Sequence, residues 1–93
     1  MAEAPRVALA RLAERAALED HGVESLNVMS TADAAGGYAL DLRVVARPED
    51  LHAMADRVRA TVAEAATVEG LVDQIASVSV HVEDLAEPAG RAL

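Results

Sequence analysis

Apolar residues recur along this chain with two periods, and the places where one gives way to the other divide it into five elements. Tyr38, Leu40, Leu42 and Val44 alternate with Ala39, Asp41, Arg43 and Val45. That is the period of two expected of a strand with one buried face, and it predicts a strand over Tyr38 to Ala46. Upstream, Val7, Leu9, Ala10, Leu12, Ala13, Ala16, Ala17 and Leu18 follow helical spacing behind Pro5, with Arg6, Arg11, Glu14, Arg15 and Glu19 on the opposite side. A first helix is expected from about Pro5 to Asp20, stopped by Gly22. Val23, Leu26 and Val28 then predict a short strand over Val23 to Met29.

Ser30 to Gly37 is small and polar and ends in two glycines, so it reads as a hairpin turn. Arg47, Pro48, Glu49 and Asp50 open a second helix running to about Glu69, where proline and acids suit the first turn. Leu51, Met54, Ala55, Val58, Val62, Ala65 and Ala66 form its core stripe, and Gly70 ends it. Leu71 to Ala76 fits either a helical turn or a loop. Val78, Val80 and Val82 then alternate with Ser77, Ser79 and His81 as a third strand. Pro88 and Gly90 mark a frayed tail over 87–93.

The order is α-β-β-α-β, an α+β fold. It predicts a three-stranded, mainly antiparallel sheet with two helices packed on one face, in a single domain ordered over about residues 5–86. Asn27, Asp41, Arg43, Ser79 and His81 fall on the other sheet face, which meets solvent or a partner.

Composition sharpens this picture. The chain has 93 residues and is 53% hydrophobic, but Tyr38 is its only aromatic residue. Its core is therefore built from small side chains that each remove little area from water. A thin core favours burying a further surface against another copy, so a homo-oligomer is expected. Sixteen acidic against eight basic residues give a formal charge of −8, with no Lys or Arg cluster. Nucleic acid and anionic lipid surfaces would be repelled. The absence of cysteine removes disulfides, thiolate nucleophiles and zinc-thiolate sites. No apolar run is long enough to cross a membrane, and the acidic start lacks the basic region of a signal peptide, so a cytoplasmic chain is expected.

Three histidines carry the candidate chemistry, because imidazole titrates near neutrality and ligates metals. His21 precedes a helix-ending glycine, where it would stabilise the last carbonyls. His52 lies in the first turns of the second helix, beside the core stripe. His81 shares a strand face with Glu83, a pair able to take up a divalent ion or to form a cross-strand contact. Asp41 and Arg43 read as a charge pair on a solvated face, and Glu83, Asp84 and Glu87 as a solvated terminus. Gly36 and Gly37 lack the strand-glycine-helix setting of a phosphate loop. No triad or complete metal motif is present.

Two family resemblances follow from these residues. Val58, Val62 and Ala66 at four-residue spacing, then Gly70 and Leu71, then Val78, Val80 and Val82 ahead of Glu83, Asp84 and Leu85, resemble the ending of the alkaline shock protein family of envelope-stress-response proteins. This resemblance implies a non-enzymatic scaffold that self-associates and is held near the membrane by an integral partner protein. A second resemblance runs from Leu51 to Val58 and from Ser79 to Glu83. These segments are similar to the helix start and final strand of the cytoplasmic domain of cation-efflux transporters, which is also α-β-β-α-β and dimeric. It implies a regulatory dimer binding a divalent metal such as zinc through His52, His81 and Glu83, although Asn27 and Arg43 stand where that family has further histidines. The leading expectation is the scaffold, with no cofactor and with Asp41, Arg43, Ser79 and His81 as its interaction face. The metal-binding dimer is the alternative, and a small ferredoxin-like enzyme using His52 or His81 as a general base is a third reading.

Overall fold

The computed structural model describes residues 4–86. Helix α1 spans Pro5–Leu18, with proline in its first turn, where the missing N–H costs nothing. It stops two residues before the expected Asp20. The Asp20 carboxylate turns back to accept the Gly22 N–H at 2.9 Å, and a residue recruited this way no longer extends the helix.

Strand β1 is Val23–Ala32 and β2 is Tyr38–Ala46. β1 is longer than expected because Ser30, Thr31 and Ala32 pair with Leu40, Ala39 and Tyr38. The hairpin loop therefore tightens to Asp33 through Gly37, closed by the Asp33 N–H donating to the Gly37 carbonyl at 2.9 Å. Gly36 and Gly37 hold φ of 104° and 77°, which side-chain-bearing residues rarely adopt.

Helix α2 is Leu51–Val68. Asp50 caps it by accepting the N–H groups of His52 and Ala53, both at 3.1 Å, so Pro48 and Glu49 precede the helix rather than forming its first turn. Its end is a Schellman motif at Gly70, with φ 73°. The Leu71 N–H reaches the Ala66 carbonyl at 2.8 Å and the Gly70 N–H reaches Thr67 at 3.2 Å. A 3₁₀ turn, Val72–Gln74, resolves the ambiguous segment, and β3 follows as Ile75–Leu85. The tail at Pro88 and Gly90 lies outside the described residues, as does Glu87.

The sheet order is β1-β2-β3, with β1 antiparallel and β3 parallel to β2. The sheet is thus mixed rather than mainly antiparallel. The cause is α2, whose 18 residues span about 27 Å and return the chain to the end of the sheet from which β2 began. Both helices pack on one face, as expected. Leu40, Leu42, Val44 and Ala46 of β2 are buried against Leu9, Leu12, Ala13, Ala16 and Ala17 of α1 and Met54, Val58, Val62 and Ala66 of α2. In α2 the stripe narrows to one residue in four, leaving Leu51, Ala55 and Ala65 partly exposed.

Candidate functional site

Strand alternation aims Asn27 and Met29 of β1, Asp41 and Arg43 of β2, and Ser79 and His81 of β3 away from the helices. No described element covers this face. The register sets Asp41 beside Met29 and Ser79, and Arg43 beside Asn27 and His81. The four residues expected on an interaction face therefore lie on adjacent strands. His81 Nε2 stands 3.4 Å from Asp41 Oδ1, with the two side chains 58% and 42% exposed. A bulge where the register passes from Val44↔Val82 to Val45↔Asp84 leaves Glu83 unpaired. Glu83 joins Asn27, Met29 and Arg43 around a shallow hollow of about 390 Å³.

His52 stands apart from this group. It is exposed in the first turn of α2, in the helix layer, whereas His81 lies on the opposite face of the sheet. Among the described residues, no group of three or more His, Asp or Glu side chains stands close enough to hold a metal ion. The trio His52, His81 and Glu83 is thus not assembled within one chain, because α2 packs on the face from which His81 points away.

A second polar cluster joins the α1–β1 turn to the start of α2. Arg57 donates Nε to Asp20 Oδ1 at 2.9 Å and Nη2 to Asp20 Oδ2 at 3.0 Å, and Nη2 also meets Glu49 Oε1 at 2.6 Å. The Asp20 side chain is only 9% exposed. The Arg57 guanidinium holds its carboxyl below the ordinary range against the opposing effect of burial, and the Gly22 N–H adds to the lowering. His21 Nε2 lies 3.3 Å from Glu49 Oε2. That contact replaces the helix-capping role expected of His21, since α1 has already ended at Leu18. Arg47 closes the turn by donating to the His21 carbonyl at 2.8 Å and pairing with Glu24 at 2.9 Å. A Cβ added at Gly22 would displace the Glu49 carboxylate and press on the buried Met54 Cγ at 2.8 Å. Every charged member here satisfies another, so the cluster works as a brace. Sequence spacing shows only that Glu49 and Arg57 lie eight residues apart; the convergence with Asp20 comes from α1 packing on α2.

Two further hollows of about 280 Å³ flank α1, one against β1 and one against α2, and neither is lined by a histidine. Among the described residues no helix is long and apolar enough to cross a membrane.

No family model and no curated protein matches the sequence. Solved structures do. The copper form of MamM CTD shares 21% identity over 94% of this chain and 91% of its own, with a TM-score of 0.66. A variant MamM CTD in its manganese form shares 19% over 84% and 96%, with a TM-score of 0.63. A variant in its nickel form shares 21% over 87% and 99%, at 0.56. These are cytoplasmic domains of the cation-efflux class, the second of the two resemblances, and the alkaline shock resemblance gains no support from them. At this level of identity the likeness is one of fold, and over nearly its whole length the chain has the fold of the MamM CTD.

Proposed function

We propose that this chain is a non-catalytic regulatory domain that takes up a divalent cation on its open sheet face and self-associates as it does so. The observation that carries the reading is the His81–Asp41 pair, an imidazole nitrogen and a carboxylate oxygen held 3.4 Å apart on an uncovered surface. Two ligands of a tetrahedral zinc with bonds of about 2.1 Å stand roughly 3.4 Å from each other, so the pair fits two corners of one coordination shell. Nitrogen and oxygen donors suit zinc and its neighbours among the divalent metals. Glu83 lies on the same face and is the third candidate donor. One chain offers too few ligands for a closed site, and a second copy facing this sheet would complete it. The fold shared with domains in copper, manganese and nickel forms supports this reading over the envelope-stress scaffold. On this reading the domain sits on the cytoplasmic side of the membrane and its partner is an integral cation-efflux transporter. The cation supplies a shared centre that draws two acidic surfaces together. Arg43, beside His81, offsets part of the negative charge there.

Titration calorimetry with zinc tests this. The wild-type chain should give a binding heat. Asp41→Asn and His81→Ala should each weaken affinity by at least about tenfold, while His52→Ala should leave it unchanged. No heat from the wild-type chain, or equal affinity after His81→Ala, would remove the proposal.

A further inference from the structure

Among the described residues, the Ser30 hydroxyl is the one buried side-chain polar group without a hydrogen-bond partner. Leaving such a group unsatisfied costs free energy, so its place in the fold calls for a reason. Leu26, Val28 and Ser30 are the less exposed alternates of β1, which sets the hydroxyl on the side of the sheet that α1 covers. There it meets the hollow of about 280 Å³ between α1 and β1.

The surroundings of this hydroxyl are positive at one end and apolar along the rest. A short turn joins α1 to β1, so the two run in opposite directions, and Ser30, beyond Val28 on the strand, falls toward the start of the helix. Arg6 lines the hollow at that end, and among the described residues its guanidinium makes no ion pair. Arg15, Arg47, Arg57 and Arg59 each hold a carboxylate. Arg43 holds none either, but no buried group lacks a partner beside it, so the coincidence of unpaired cation and unsatisfied hydroxyl belongs to the α1–β1 hollow alone among the described residues. Arg11 also lines the hollow and has an interaction of its own, which stays in place. The helix adds to the positive field, since α1 has no side-chain cap and no acid in its first turn, whereas Asp50 caps α2. Glu14 lies at the other end of the hollow, eight residues and about 12 Å along the axis from Arg6, beyond the screening length at physiological ionic strength. Val7, Ala10, Val28 and Met29 supply apolar walls between the two.

We propose that this hollow binds a small monocarboxylate with a hydrocarbon body, its carboxylate held by Arg6 and the Ser30 hydroxyl and its body laid over Ala10, Val28 and Met29. A guanidinium fork matches a carboxylate, and a serine hydroxyl turns about one torsion to donate to it. The apolar walls favour a carboxylate that carries a chain over an inorganic anion, which has no apolar surface to remove from water. The volume lies just below the range usual for small-molecule sites, so the ligand is short. The site lies on the helix side of the sheet, apart from His81 and Asp41, and needs no metal, so it stands or falls independently of the cation reading.

Hexanoate is the probe, and the methyl groups of Met29, on the hollow, and Met54, fully buried, are the reporter and the control in methyl-labelled protein followed by NMR. At neutral pH without metal, hexanoate should shift the Met29 resonance more than that of Met54, with a dissociation constant of about 1 mM or below. 1-Hexanol, acetate and inorganic phosphate should each bind at least about tenfold more weakly, because each lacks one half of the ligand. Arg6→Gln should weaken hexanoate by about fivefold or more. Ser30→Ala should weaken it by about threefold or more while the melting temperature of the free protein stays equal or rises, since the substitution removes an unsatisfied hydroxyl. His81→Ala should leave hexanoate affinity unaltered. No Met29 shift at about 10 mM hexanoate, a Met54 shift as large as that of Met29, equal binding of hexanol or phosphate, unchanged affinity in Arg6→Gln or Ser30→Ala, or a loss in His81→Ala would each overturn the proposal.

Discussion

The brace at Asp20 shows how one side chain sets both a boundary and a pH response. Asp20 ends α1 by accepting the Gly22 N–H, and it secures the turn to α2 through two hydrogen bonds from Arg57. Because its pKa is lowered on folding, the carboxylate binds protons more weakly in the native state than in the unfolded chain. Its contribution to stability is complete above the ordinary value of 3.8 and is lost as pH falls through the lower folded value. Asp20→Asn should therefore destabilise the protein at neutral pH and flatten the acid limb of its stability curve. Urea denaturation at a series of pH values from neutral to acid would read both effects. An unchanged acid limb would mean that other carboxylates control it. Sequence pattern alone identified neither Asp20 nor Arg57, since each reads as an ordinary exposed charge within its own helix. The Asp41–His81 pair was half legible. Alternation put both residues on the open face, but their proximity depends on β3 running parallel to β2, and a reversed β3 would have set other residues beside Asp41.

At the scale of elements, the sequence was informative wherever period and punctuation agreed. β2 has the expected limits because its alternation is bounded by Gly37 and Pro48, and α2 ends where Gly70 predicts. Boundaries moved where a side chain or a partner strand intervened. Asp20 shortened α1, pairing with β2 lengthened β1, and Asp50 rather than Pro48 began α2. The last of these has a measurable consequence. Asp50 satisfies two N–H groups at the start of the α-helix that connects the parallel strands. Asp50→Ala should destabilise the domain by about 1 kcal/mol, whereas Asp50→Ser, which keeps an acceptor, should cost less. Thermal denaturation of the two variants distinguishes the loss of a cap from the loss of a charge. Equal destabilisation by both would show that the carboxylate's charge matters more than its hydrogen bonds.

For the whole molecule, two helices on one face leave a three-stranded sheet with an unpacked side, and the α-β-β-α-β order already implied that asymmetry. What the order did not reveal was strand direction, and with it which polar residues meet on the open side. That face is where a ligand would couple to stability, because anything that binds the folded chain and not the unfolded one raises the melting temperature. Zinc at a hundred times its dissociation constant should add about 2.7 kcal/mol, which for a domain of this size is a shift on the order of 10–20 °C. The shift should fall to about half or less in His81→Ala, since a site about tenfold weaker at the same zinc concentration would add only about 1.4 kcal/mol. Its dependence on protein concentration separates two ways of completing the coordination shell. If a second copy supplies ligands across the open face, the zinc-induced shift grows with protein concentration, and Arg43→Glu, which adds negative charge at the junction, reduces it. If water completes the shell around a single chain, the shift is independent of protein concentration. Arg43→Glu should then increase it, because the added carboxylate would attract the cation without any second acidic surface to repel.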